Sequence, residues 1–269
     1  MLGKIISYEF KATSKLFSLI YAALILLSLI TKLFLSINIT ENEYSFIFTS
    51  LKGIFILLYV LTIFAVSILT FVFIVFRFYK TMTRDQAYLT FSLPVKVSTI
   101  LNGKILVSAI WTIISSIVVI ISLIIIFSGI HIPREIISQI EHIIRMLNRE
   151  FFITKTDTIF FIINYIITII ISVFYSLLII FAAIALAQLM NKNRVLWTVV
   201  FYFAIYFCLQ TVTSISFSII SVFIENSYNK SPIAFINHFI LIINSLLVIF
   251  TGLFYYLTYY IFSHKLNLE

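Results

Sequence analysis

Charge is scarce in this sequence. Asp, Glu, Lys and Arg together make up 10% of its 269 residues, against roughly 25% in a soluble globular chain. With 62% of the residues hydrophobic, the polar surface is too small to cover the apolar bulk in water, and lipid is the alternative solvent. Cysteine is nearly absent. Cys208 stands alone, which excludes an intramolecular disulfide and a Cys-rich metal site, and its apolar surroundings predict an inert buried thiol. The glycines Gly3, Gly53, Gly103, Gly129 and Gly252 never pair at the spacing of a phosphate-binding loop, and no HExxH motif occurs. The histidines His131, His142, His238 and His264 are dispersed at the edges of apolar runs, so no shared metal site is expected. Leu2–Lys15 is too polar for a secretory leader core, and no cleavable signal is expected.

What is present is long apolar runs. In lipid a spanning backbone must satisfy its own hydrogen bonds, as a helix or a closed barrel. Barrel strands alternate apolar and polar residues, whereas Ile105–Ile130 is apolar at nearly every position. The Ile, Val and Phe content favours strands in water, but run length overrides that preference. A span needs about 20 apolar residues. Leu16–Ile37, Ile54–Phe76, Ile105–Ile130, Ile159–Leu189, Val195–Ile220 and Phe239–Phe262 qualify. The expected fold is an all-α membrane protein of six transmembrane helices, read as one domain over 1–269.

The basic residues are partitioned. An even number of spans puts both ends on one side. That side carries Lys4, Lys11, Lys15, Arg77, Lys80, Arg84, Lys96, Lys104, Lys192, Arg194 and Lys265 against Glu9, Asp85 and Glu269. The other side balances to zero, so the whole net charge of +8 falls on the side of the termini. The positive-inside rule makes that side cytoplasmic. A membrane-flanking basic excess also accounts for the pI without nucleic-acid binding.

Two amphipathic segments lie outside the expected spans. In the N-terminal segment, read as an interfacial helix over residues 1–15, Lys4, Lys11 and Lys15 share one helical face, and Leu2, Ile5, Ile6 and Phe10, continued by Leu16 and Phe17, share the other. This predicts an interfacial helix that turns into the first span. Glu9 falls inside the apolar arc, where a carboxylate needs the headgroups or a cation. Arg77 or Arg84 is the expected cation, with snorkelling as the alternative. In residues 131–158, Pro133 suits a helix start, and Ile136, Ile137, Ile140, Ile143, Ile144 and Leu147 form an apolar stripe. It predicts an extracellular amphipathic helix, on the surface or as a lid.

The cytoplasmic connection 77–104 is the most informative segment. Arg84–Leu93 predicts a short helix with Tyr88 and Phe91 on one face. Pro94 ends it by pushing the preceding residue out of the α region, and Ser98 or Thr99 is placed to cap the next helix. Exposed aromatics there suit a docking knob for another protein. The spans themselves carry almost no ionisable residues, unlike ion-coupled transporters.

The run Arg84-Asp85-Gln86-Ala87-Tyr88-Leu89-Thr90-Phe91-Ser92-Leu93-Pro94-Val95, followed by Ile100 and Lys104, resembles the coupling segment of ABC-2 type transporter permeases. Tyr8–Ser14 and Gln188–Val195 also resemble Firmicutes members. Gln86 and Ala87 stand where many members carry glycine. The resemblance implies a permease in a bacterial cell membrane that pairs with a second permease subunit, as homo- or heterodimer. It also implies a cytoplasmic ABC ATPase subunit, which holds ATP and magnesium, so this chain has neither a catalytic site nor a cofactor. The coupling residues would be Arg84, Asp85, Tyr88, Leu89, Phe91 and Pro94. The absence of intramembrane charge suits export of a hydrophobic or amphiphilic cargo, peptide or lipid-like. Gln210, Thr211, Thr213 and Ser214 are candidates to line its path, with helix–helix hydrogen bonding as the alternative. A non-transport membrane scaffold or sensor subunit is the rival reading, and a membrane hydrolase a second.

Overall fold

The computed structural model describes residues 2–37, 45–92, 94–128, 134–150, 155–190, 192–225 and 232–265. Every regular element among them is a helix: α1 (Leu2–Ser36), α2 (Ser45–Thr83), α3 (Asp85–Phe91), α4 (Val97–Phe127), α5 (Arg134–Glu150), α6 (Lys155–Ala187), α7 (Arg194–Glu225) and α8 (Pro232–His264). All but α3 and α5 are long and apolar enough to cross a membrane. The chain is a multi-pass membrane protein, and each of the six expected runs falls on one of these helices. Their outward faces are dominated by Ile, Leu, Val and Phe, as lipid requires.

The described residues form two compact units, 1–80 with 99–132, and 81–98 with 133–269. In the first, α1 turns a stripe of Thr13, Phe17, Tyr21, Leu24, Ser28 and Thr31 inward, at the spacing of one helical face. Phe17 lies against Trp111 with ring centroids 4.4 Å apart and meets Phe73 edge-on at 5.2 Å. Further along, the Tyr59 and Ser122 hydroxyls bond at 2.9 Å. Gly103 admits a close helix approach, because a Cβ there would stand 2.8 Å from Ile5 Cγ2.

The expected turn between an interfacial helix and the first span is absent. α1 runs unbroken for 35 residues. At 1.5 Å per residue that is about 50 Å, against about 30 Å of hydrocarbon, so the lysine-bearing first turns reach beyond the apolar layer without a bend. Nothing in Leu2–Ser18 is a helix breaker except Gly3.

The second unit is organised on α6, which packs along α8 and, less extensively, α7. Ala182, Ala183, Ala185 and Ala187 are buried on α6, and small side chains let membrane helices approach closely. Asn237, Asn244 and Thr258 are buried on α8, and Asn244 Nδ2 donates to Asn164 O at 3.4 Å. α6 closes with a tightened turn, Gln188, Leu189 and Met190 donating to Ala185, Leu186 and Ala187. Asn193, at φ 53°, then redirects the chain into α7, a conformation that asparagine tolerates. α7 leaves nearly all its surface uncovered. Cys208 is exposed on it rather than buried, because an apolar run in lipid does not imply a protein interior.

α5 carries the amphipathic segment. Ile137, Ile140, Ile143 and Ile144 are exposed, and Arg145 pairs with Glu141 at 3.6 Å on the surface. The side chains of Ile136 and Leu147, and residues 131–133 and 151–154, lie outside the described residues.

Candidate functional site

Glu9 heads the inward stripe of α1, one turn before Thr13. Its carboxylate is gripped from two sides. Arg77, near the end of α2, donates from Nε at 2.7 Å and brings Nη2 to 2.7 Å of the same oxygen, Oε2. Lys104, in the second turn of α4, donates from Nζ to Oε1 at 2.7 Å. Lys104 is 6% exposed, Glu9 17% and Arg77 27%. The arc of Leu2, Ile5, Ile6 and Phe10 is thus a packing surface, with Ile5 on Gly103. Desolvating a lysine this far is expensive without an anion, and Glu9 offsets that cost.

The next turn extends the contact. Trp111 Nε1 donates to Thr13 Oγ1 at 2.8 Å, and the Thr13 hydroxyl donates to Glu9 O at 2.9 Å. The indole stacks on Phe10 with centroids 4.6 Å apart and planes 9° apart. Glu9, Thr13 and Phe17 therefore run into the ion cluster and the aromatic cluster in succession. Of these contacts the sequence indicates Glu9 with Arg77. It does not indicate Lys104, which reads as one more flanking lysine. The signal is its place two turns inside an apolar helix, beside Gly103.

Arg77 and Lys104 bracket the segment 81–98, which groups with the second unit. There Arg84 is exposed at the N-cap of α3, with no side-chain cap bond. Asp85 opens the helix, but its side chain lies outside the described residues, as does Leu93. Tyr88 is 72% and Leu89 68% exposed, whereas Ala87 is fully buried. Phe91 does not share the outward face with Tyr88. Its ring stacks on Phe262 of α8, centroids 6.4 Å apart. The outward pair is Tyr88 and Leu89, and Phe91 is the root. α3 stops at Phe91, with Ser92 N–H bonding to Tyr88 O at 3.0 Å, and Pro94 is exposed beyond it. α4 begins at Val97, so Ser98 and Thr99 lie in its first turn rather than at its cap.

A groove of about 380 Å³ runs between α7 and α8. α8 supplies Phe239, Ile242, Ile243, Leu246, Leu247 and Phe250, α7 supplies Gln210, Thr213, Ser214, Ser216 and Phe217, and α6 adds Tyr175. Phe217 and Phe239 meet edge-on at 5.2 Å and close one end. Gln210, Thr213 and Ser214 are brought together here. Thr211 is not among the lining residues, and its hydroxyl donates to Cys208 O. Elsewhere in this unit Gln188 is buried, and neither amide atom has a hydrogen-bond partner among the described residues.

Among the described residues no group of three or more His, Cys, Asp or Glu side chains gathers as a metal site. No family model, curated protein or solved structure matches the chain. The functional reading rests on its own geometry and on the resemblance of its motifs.

Proposed function

We propose that the chain is the permease subunit of a bacterial ABC exporter, moving a hydrophobic or amphiphilic cargo with ATP hydrolysed by a separate cytoplasmic ATPase. Both termini and α3 are on the cytoplasmic side in this reading, where the net charge of +8 gathers. A second permease subunit completes the path.

The observation that carries the reading is α3. A seven-residue helix, inserted between two membrane-spanning helices, holds Tyr88 and Leu89 outward while Ala87 and Phe91 root it. Large apolar side chains on a short element that is too short to span are what a docking partner needs. The ends of the flanking helices are stapled by Glu9, through Arg77 and Lys104. The ion cluster thus ties α1, α2 and α4 to one another. The groove, lined by no charged side chain among the described residues, supports an uncharged or amphiphilic cargo.

The test is co-purification from native membranes. The double variant Tyr88→Ala, Leu89→Ala is expected to insert normally and to lose its ATPase. Interface anchors cost about 2 kcal/mol or more on truncation, about 30-fold in affinity. Undiminished capture of an ATPase by this variant rejects α3 as the docking element.

A further inference from the structure

We infer that the α7–α8 groove binds a neutral amphiphile whose polar group is an amide, read by Gln210 and Ser214. The inference rests on the permease reading for the use made of that ligand, but not for the binding itself.

The polar groups of α7 differ in one respect. Thr211 donates to Cys208 O, Thr213 to Leu209 O, Ser216 to Val212 O and Ser218 to Ser214 O. These hydroxyls are satisfied by their own helix and need nothing from outside. The Gln210 amide and the Ser214 hydroxyl have no hydrogen-bond partner among the described residues. They stand four residues apart, hence on one face, and both line the groove.

Gln210 lies near the middle of a helix that is apolar enough to span. Lipid at that depth offers no hydrogen bonds, so a bare primary amide there is costly. Apart from the Tyr175 hydroxyl and the hydroxyls of Thr213 and Ser216, which bond their own helix, the rest of the wall is apolar, with Phe217 and Phe239 at one end. Apolar walls with a few convergent polar groups, at a volume within about 300–1,000 Å³, describe a small-molecule site. Among the described residues no charged side chain lines it, so an ionised head would enter uncompensated. Gln210 and Ser214 each offer a donor and an acceptor. A ligand amide presents one of each, and an acyl chain fills the apolar remainder.

The experiment measures saturable binding of oleamide and of oleate, which share a chain and differ in head, to the purified protein in lipid nanodiscs at pH 8. Oleamide is expected to bind at least tenfold tighter than oleate. The double variant Gln210→Leu, Ser214→Ala is expected to lose about tenfold in oleamide affinity, the scale of two net hydrogen bonds. Thr198→Val, on α7 but outside the groove lining, is expected to leave it unchanged. Equal binding of the two ligands, no saturable binding of either, or an unaffected double variant overturns the inference. A second copy covering the groove would also overturn it. It would appear as a disulfide-linked dimer of Gln210→Cys on a Cys208→Ser background that oleamide does not suppress. No ATPase is present in this measurement, so failure here leaves the α3 docking test standing.

Discussion

At the scale of single residues, Glu9 shows where helical-wheel reasoning holds and where it stops. Its place among Leu2, Ile5, Ile6 and Phe10 is legible, and so is its need for a cation. Arg77 is one of the two cations the sequence offers, but Lys104 is not legible, because sequence spacing within α1 says nothing about which turn of α4 comes beside it. Lys104 meets the carboxylate at 2.7 Å while only 6% exposed. Removing one partner of a buried pair leaves a stranded charge and costs about 3–5 kcal/mol, whereas replacing both by apolar groups is often close to neutral. Glu9→Gln and Lys104→Met are therefore each expected to lower thermal stability sharply. The double variant Glu9→Leu, Lys104→Met should recover much of the loss, a coupling that a double-mutant cycle measures. Arg77→Gln should cost less, since Arg77 is 27% exposed and Lys104 still holds the carboxylate. Trp111, stacked on Phe10 and bonded to Thr13, gives an intrinsic fluorescence reading of whether α1 has lifted from α4. Additive single-variant losses would show that the pair does not act as a unit.

At the scale of elements, the spans were legible because run length and apolarity decide them. The small helices were legible only in outline. α3 occurs within the expected Arg84–Leu93, but its outward face is Tyr88 and Leu89, since Phe91 has a partner on Phe262. A tertiary contact from far along the chain settles that face, and no local pattern encodes it. The unbroken α1 has the same origin. The periodicity of residues 1–15 shows two faces but no axis, and packing on Gly103 and Lys104 sets the axis. α6 offers a sharper test of packing. Its buried Ala183 is fully enclosed, whereas Ile167 is 41% exposed. Ala183→Leu overpacks an enclosed position and is expected to destabilise by about 1–3 kcal/mol. Ile167→Leu, turned to lipid, should be neutral within about 0.5 kcal/mol. Equal melting temperatures for the two variants in detergent would contradict this account of α6 as the packed helix of its unit.

At the scale of the whole molecule, the grouping of 81–98 with 133–269 could not be read from the sequence. No Pro/Gly-rich linker marks it, and the boundary runs through helices instead of between domains. The charge partition, by contrast, is a whole-chain property that sequence alone supplies. It predicts that α3 and α5 lie on opposite sides of the membrane, and the docking role of α3 depends on that. Arg84 and Arg145 are both exposed side chains on these elements, so each can be replaced by a reporter without opening a core. On a Cys208→Ser background, Arg145→Cys in intact cells is expected to react with a membrane-impermeant maleimide. Arg84→Cys should react only after the membrane is permeabilised. The basic excess makes the opposite arrangement unfavourable, because Lys and Arg near the ends of spans are retained on the cytoplasmic side during insertion. Labelling of position 84 from outside, with position 145 protected, would invert the topology. It would place Tyr88 and Leu89 out of reach of any ATP-driven partner, and the permease reading would fall with it.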